Sequence, residues 1–412
     1  MAEEGIRFTQ FYNTGKCFPS RASLLTGAYA QQVGMGSEPA EIENAMTLGE
    51  MLGMAGYRTL WSGKHHGTQN PVTLGFDRYY GLRDGASNHF NPGLQRPGEG
   101  KPAQKRDNRA WIKEGQLHQP YTPEFADFYT TDYFTDYALE WLEEFKNEDK
   151  PFFLYLAYTA PHDPLMAWPE HITKYEGKYM EGYEAVRRER LQRQKAMGLV
   201  DDELQLPEPQ HTNWEDLSEA EKEKEDLKMV VYAAMIDRMD QNVGRLIQKL
   251  KDLGELKNTL ILFASDNGAS AEVVDLEGSG AIGTMTRWTS LGADWANVSN
   301  TPLRFFKNYS HEGGIRTPLI AFWPAGIEEK GRISNTPLHF IDFMPTFVEL
   351  AGFTYPHEDQ KPLIPMQGES FLPILKGGQV ERGKPIYWQW AKGKAVREGD
   401  WKLVSWNGSY II

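Results

Sequence analysis

A single cysteine, Cys17, in 412 residues rules out any disulfide within the chain. Long apolar runs are missing as well, and none reaches the length of a membrane span. The first residues, Met1-Ala-Glu-Glu-Gly-Ile-Arg-Phe8, lack the apolar core of a secretory signal. Positive charge is in short supply: 44 Lys and Arg stand against 57 Asp and Glu, a formal net charge of −13. That balance argues against a nucleic-acid partner, which calls for a basic face. No internal repeat is visible. What remains is an ordinary globular composition, 40% hydrophobic and 25% charged, in a chain long enough for two or three domains. A lone cysteine is most often a small buried hydrophobe, so its neighbours must decide whether it does chemistry.

Several short apolar runs have strand character: Tyr57 to Trp61, Pro151 to Thr159, Thr259 to Ser265, and Pro318 to Trp323. Such continuous runs, with helices between them, suit parallel strands buried on both faces. Thr47-Leu-Gly-Glu50 and Ser218-Glu-Ala-Glu221 read as capping boxes, the second opening a long helix whose stripe runs from Leu227 to Leu250. Asp342 is expected to cap a third helix, Phe343 to Leu350. The alternation predicts an α/β fold with a large, mainly parallel sheet. Ile386 to Trp390 and Lys394 to Trp406, with a turn at Glu398-Gly-Asp400, predict a small antiparallel C-terminal unit. The expected division is a catalytic domain over 1–375 and part of that subdomain over 376–412. Residues 84–120 and 165–216 read as insertions or long loops that shape substrate access.

In open α/β sheets ligands bind beyond the carboxyl ends of strands. Lys64, His66, His162, Asp266 and Asn267 all follow predicted strands directly, which points to one shared site. The cysteine lies in Cys17-Phe-Pro19-Ser20-Arg21-Ala-Ser-Leu-Leu-Thr26-Gly27. Pro19 suits the first turn of a helix, which places Cys17 at a helix N-terminus, where N–H groups and the dipole favour anions. On physics alone this is a candidate thiolate nucleophile.

Cys-x-Pro-Ser-Arg followed by Thr-Gly resembles the signature of the type I, formylglycine-dependent sulfatases of the alkaline phosphatase superfamily. The resemblance extends along the chain. Gly63-Lys64-His65-His66 is similar to the family's Gly-Lys-Trp-His, with His65 in place of Trp. Ala160-Pro161-His162 is similar to the element that supplies a second histidine, and Asp266-Asn267-Gly268 to the metal-binding Asp-Asn-Gly. Lys307, five residues before Glu312-Gly-Gly-Ile-Arg316, matches a second active-site lysine. Taken singly, Gly-Lys-His-His and Asp-Asn-Gly are ordinary turn sequences. Trp168 and Trp214 are expected to pack in the core or loops rather than to stack on sugars.

The resemblance implies a sulfuric ester hydrolase acting on a sulfated glycan or aryl sulfate. Cys17 would be oxidised to formylglycine by a maturation enzyme, and Arg21, Lys64, His66, His162 and Lys307 would surround the sulfate. One divalent metal, Ca²⁺ by resemblance, would bind Asp266, Asn267 and the oxygen at position 17. Asp266 is the candidate base for the attack, Lys307 or His162 the donor to the departing alcohol, and His66 the base that releases sulfate. The resemblance also implies an exported protein, periplasmic or secreted. It expects a strand ending in Asp-Asp ahead of the cysteine, where Met1 to Phe8 instead resembles the middle of a first helix leading into the next strand. On that expectation the chain is a fragment that binds metal weakly and turns over slowly. The alternatives are a formylglycine-dependent phosphodiesterase or phosphonate monoester hydrolase, an inactive remnant, and a hydrolase using the unmodified thiol.

Overall fold

The structure, a computed structural model, describes residues 1–411 except 107, 275, 277 and 357–362. The chain opens with a turn, not the expected middle of a helix, and enters β1 (Ile6–Tyr12) and α1 (Cys17–Thr26). Helix α1 stops at Gly27, whose φ of 67° and close approach to Met344 (2.5 Å from a built Cβ to the Met344 Cβ) leave room only for glycine. Next come α2 (Leu48–Met54), β2 (Arg58–Gly63), β3 (Arg78–Leu82), β4 (Trp111–Lys113) and β5 (Gln116–His118). They are followed by α3 (Thr130–Glu144), β6 (Phe152–Ala157), α4 (Pro169–Thr173), α5 (Tyr183–Ala196), α6 (Glu219–Asp252) and β7 (Ile261–Ala264). The chain continues through α7 (Ala293–Ser299), α8 (Glu312–Ile315), β8 (Arg316–Phe322), β9 (Arg332–Ser334), β10 (Leu338–His339), α9 (Phe343–Leu350) and α10 (Leu372–Leu375). It closes with β11 (Ile386–Trp390), β12 (Gly393–Glu398), β13 (Trp401–Trp406) and β14 (Ser409–Ile411).

Both capping boxes form. The Thr47 hydroxyl accepts from the Glu50 N–H (3.2 Å) while the Glu50 carboxylate accepts from the Thr47 N–H (2.9 Å), and Ser218 and Glu221 repeat the exchange at the start of α6.

The sheet is divided. One five-stranded sheet has the order β10-β1-β8-β7, with β9 also on β1; the other runs β5-β4-β3-β2-β6. Pairing is mixed: β2 is parallel to β3 and β6, and β1 to β9 and β10, but β8 runs antiparallel to both β1 and β7. Strands β4 and β5, inside the predicted insertion 84–120, extend the second sheet antiparallel from β3. Helix α5 likewise occupies the stretch read as a loop at 165–216. Two of the strongest apolar runs, β6 and β7, are each the edge of a sheet among the described residues and are only half-buried along most of their length.

Helix α1 holds the halves together. Phe18, Ala22 and Leu25 pack with Trp61, Phe76 and Tyr79 on the β2–β3 sheet, while Leu24 also meets the cluster built on Phe8, Phe11 and Leu319. On the far side of the β2–β3 sheet, Phe134 and Trp141 of α3 cover Leu60, Tyr80 and Trp111. The small antiparallel C-terminal sheet forms over β11–β13 as read from the sequence, β14 adds a fourth strand that was not read, and Trp388 docks the sheet against Tyr12 of β1 (ring centroids 5.1 Å apart). Trp214 is buried against Tyr183 and Trp295, and the partly buried Trp168 packs edge-on to Phe90, so both pack as expected.

Asp342 does not cap α9: its own backbone is helical and its side chain makes no cap bond there. Its oxygens instead accept from the His339 N–H (2.7 Å), the Glu369 N–H (2.9 Å) and both ends of the Arg382 guanidinium (2.7 and 3.0 Å). Because Arg382 is itself buried, Asp342→Ala would strand a charge and should lower stability by about 3–5 kcal/mol. Urea unfolding of the two proteins measures this.

Candidate active site

Cys17 is the first residue of α1 and is buried, following Lys16, whose extended backbone starts the helix. One turn on, Arg21 points across the gap between the sheets. Its Nε donates to Asp266 Oδ2 at 2.8 Å, Nη2 lies 2.8 Å from the same oxygen as an ion pair, and Nη1 donates to the Lys64 carbonyl (2.8 Å) and to the Tyr155 hydroxyl (3.3 Å). One guanidinium thus joins the ends of β2 and β7 with the middle of β6.

Lys64 follows β2 and is almost fully buried, with its N–H on the Ala157 carbonyl (2.7 Å). His66 adopts a φ of 65°, a left-handed conformation uncommon outside glycine. Its ring lies over Gly85, where a Cβ would sit 2.5 Å from the imidazole, and its Nδ1 is buried without a partner. His162 follows β6, with Nε2 3.1 Å from Lys307 Nζ. The left-handed residues Phe305 and Asn308 flank Lys307, whose N–H reaches the Ala269 carbonyl (3.0 Å).

The electrostatics follow from packing cations around one thiol. Burial pushes the Cys17 thiol up, but Lys64, and after it Lys307, pull it below its ordinary value. Burial lowers Lys64, and neighbouring Arg21 and Lys307 add to that against the opposing pull of Cys17. Burial, then Lys64 and Arg21, hold His66 far below the usual imidazole range, so it stays a neutral base among cations. Asp266 resists its burial because Arg21, Lys64 and Lys307 bring its carboxyl down to about 2.

Every residue singled out from the sequence therefore comes to one place except that Asn267 contributes only its side-chain carbonyl. Its amide donates to the Gly268 carbonyl (2.9 Å), leaving Oδ1 buried and unpartnered. Gly268 is required there, since a Cβ would lie 1.8 Å from the Gly313 carbonyl oxygen. Asp266 and the orphaned Asn267 Oδ1 are oxygen donors of the kind a hard divalent cation takes. They suit part of such a site; among the described residues no group of three or more His, Cys, Asp or Glu is placed to hold a metal.

Three further residues escaped the sequence reading. Glu272 lies between Lys307 (Oε2 to Nζ, 3.2 Å) and Lys16, with which it forms a close ion pair. Asp163 sits beside the His162 ring, and Tyr155 beside Arg21. Asp163 was legible as the residue after His162; Glu272 and Tyr155 carry no motif.

Comparison with known proteins bears on the reaction. The Sulfatase family model matches residues 1–353, and the model described as N-sulphoglucosamine sulphohydrolase, C-terminal, matches 303–406. The arylsulfatase of Klebsiella aerogenes is 33% identical over 407 residues, covering 91% of this chain and 85% of that one. The mouse N-acetylgalactosamine-6-sulfatase is 26% identical, covering 100% of this chain and 67% of its own length. A crystal structure of Ps i-CgsB in complex with k-i-k-neocarrahexaose superposes with a TM-score of 0.68 at 26% identity, covering 99% of this chain and 78% of that one. Fold and relatives define a hydrolase of the alkaline phosphatase superfamily. Within it, the chain belongs to the sulfatase family, enzymes that hydrolyse sulfate esters.

His65, which stands where the resemblance expects Trp, packs edge-on to Trp61 (4.9 Å) with both ring nitrogens buried and unpartnered. Burial, then His66 and Arg21, drive it down to about 3. Its folded pKa is thus below its unfolded value near 6.5, so the unfolded chain binds the extra proton as pH falls. Stability should drop from about pH 6.5 towards pH 3 by roughly 1.4 kcal/mol per pH unit from this ring alone. In His65→Phe the urea midpoint should fall less steeply over that window; an unchanged slope would contradict a neutral buried ring.

Proposed function

We propose that this site hydrolyses a sulfate ester through formylglycine made from Cys17 by a maturation enzyme, and that the natural substrate is a sulfated carbohydrate. The observation that carries the reading is the convergence of Arg21, Lys64, His66, His162 and Lys307 on the buried N-terminus of α1, in a chain that is acidic overall. A sulfate ester repels nucleophiles, and negative charge grows on the bridging oxygen as the S–O bond breaks. Fixed cations aimed at those oxygens stabilise that change without reorganising. The oligosaccharide held by the solved relative, Ps i-CgsB, supports a carbohydrate substrate.

A hydrated aldehyde at position 17 would supply two hydroxyls on one carbon, one to attack sulfur and one to expel the sulfate afterwards. A divalent cation, Ca²⁺ by resemblance, would be held in part by Asp266 and Asn267 Oδ1 and would neutralise sulfate charge. Arg21 fixes Asp266 and the Lys64 backbone, so that Lys64 presents its ammonium beside position 17. His66, kept neutral by burial, takes a proton from the second hydroxyl. The Lys307–His162 pair faces the other side and gives a proton to the departing alcohol.

Mass spectrometry of the Cys17 peptide, together with hydrolysis of 4-nitrophenyl sulfate, tests the reading. An aldehyde-bearing peptide and measurable turnover are expected. Cys17→Ala should abolish turnover, and Lys64→Ala and His66→Ala should each cost on the order of 10²–10³-fold in kcat. An unmodified thiol in an active enzyme would favour direct thiolate attack. Faster hydrolysis of a phosphate diester than of any sulfate would favour the phosphodiesterase reading.

A further inference from the structure

The contacts around the His162–Lys307 pair restrict where its protons can sit. His162 Nδ1 is hydrogen-bonded to the Asp163 carbonyl oxygen (2.7 Å), and the Asp163 carboxylate Oδ1, which has no hydrogen-bond partner of its own, lies 3.0 Å from the same nitrogen as a charge contact. Both are acceptors, so Nδ1 must carry a proton. On the opposite edge, Nε2 is 3.1 Å from Lys307 Nζ. An ammonium has donors only, so Nε2 must offer its lone pair. An imidazolium would set an N–H against Lys307 and is disfavoured.

Two carboxylates hold this arrangement from outside. Asp163 is buried, and its Oδ2 accepts from the Ser290 hydroxyl (2.8 Å) and the Trp288 indole N–H (3.3 Å). Fixed in that way, Oδ1 can only face the ring. Glu272 takes Lys307 Nζ on Oε2 (3.2 Å), while its Oε1 is held by Lys16 and lies 3.4 Å from the Asn308 amide nitrogen. Of the three Lys307 N–H donors, one meets His162 and one Glu272, which leaves the third for a ligand.

We infer that Asp163 and Glu272 are positioning residues that clamp His162 as the neutral, Nδ1-protonated ring and Lys307 as the ammonium whose free N–H faces the leaving oxygen. The inference rests on the sulfatase reading for its consequence, though not for its geometry. When the S–O bond breaks, its electron pair goes to the alcohol oxygen. A Lys307 N–H bond breaks and an O–H bond forms, leaving a neutral amine that solvent reprotonates between turnovers. His162 keeps its proton throughout and acts by orienting Lys307.

The form of the ring is read by long-range ¹H–¹⁵N imidazole spectra of the full chain labelled with ¹⁵N-histidine, with His162→Gln to assign the signal. A neutral Nδ1–H ring at pH 7.5 is expected; an Nε2–H ring or an imidazolium would overturn the clamp. Kinetics give the second readout. Protonation matters more for a poor leaving group, so Asp163→Asn and Glu272→Gln should slow 4-methoxyphenyl sulfate on the order of 10²-fold and 4-nitrophenyl sulfate only about tenfold. Glu272→Asp should recover part of the gap. Ser290→Ala, which removes one support of Asp163, should give a smaller split in the same direction if Asp163→Asn does not fold. Equal slowing of both esters would reduce the two carboxylates to structural roles. If the unaltered chain cleaves neither ester, the sulfatase reading fails, and the imidazole spectrum still decides the clamp.

Discussion

The fork of Arg21 is the interaction on which the site depends. The two five-stranded sheets meet without a shared strand pair among the described residues, yet Lys64 and Tyr155 belong to one and Asp266 to the other. A planar guanidinium with donors in fixed directions can satisfy all three at once, where a lysine could make only a point contact. It is buried, always charged and paired to a carboxylate, so removing it would take from Asp266 its hydrogen-bonded partner and leave Lys64 and Lys307 alone to hold its charge. Sequence places it four residues after Cys17 on one helix, which couples the nucleophile's position to the docking of the sheets.

A second constraint is the crowding of positive charge. Lys64, Lys307 and Arg21 lie around one thiol in an acidic protein, and such a cluster repels itself unless anions or neutral groups intervene. The fold responds in two ways. Asp266 and Glu272 stay ionised against burial, each held down by adjacent cations, and Asp163 by the His162 ring beside it, the Ser290 hydroxyl and Lys307. His66 and His65 are instead kept uncharged by burial and by the same cations. Unmet positive charge is left pointing at the place where an anionic group would bind, and binding such a group relieves strain that folding created.

The placement of the site's residues was largely legible because they sit where backbone rules put them. A helix start at Cys17 and strand ends before Lys64, His162 and Asp266 can each be read within a dozen residues of sequence. The helices announced by capping boxes were legible for the same local reason. What escaped depends on partners far along the chain. The antiparallel course of β8, the extension of the β2–β3 sheet by β4 and β5, and the bidentate grip of Asp342 on Arg382 are all long-range pairings. Asp342 misled because an acidic residue ahead of an apolar helix has the sequence signature of a cap, while three distant donors, the Glu369 N–H and both ends of Arg382, claim its oxygens together with the nearby His339 N–H. Glu272 was silent because its meaning comes from Lys16 and Lys307, 256 and 35 residues away.

The apolar character of β6 and β7 sharpens the last point. Their sequences suit strands covered on both faces, yet each is a sheet edge and half-buried, and each ends in residues of the site. An edge strand is held by one ladder of hydrogen bonds rather than two, and its end has more freedom to move. His162 and Asp266 therefore cannot be positioned by their strands alone. Their side chains are fixed by cross-links that begin elsewhere: Arg21 for Asp266, and Asp163 with Lys307 for His162. In this architecture the polar contacts of the site also act as the joints between the sheets. Substitutions within it should then perturb the docking of the halves as well as the chemistry, and variants that preserve charge while losing fork geometry, such as Arg21→Lys, are the ones that separate the two effects.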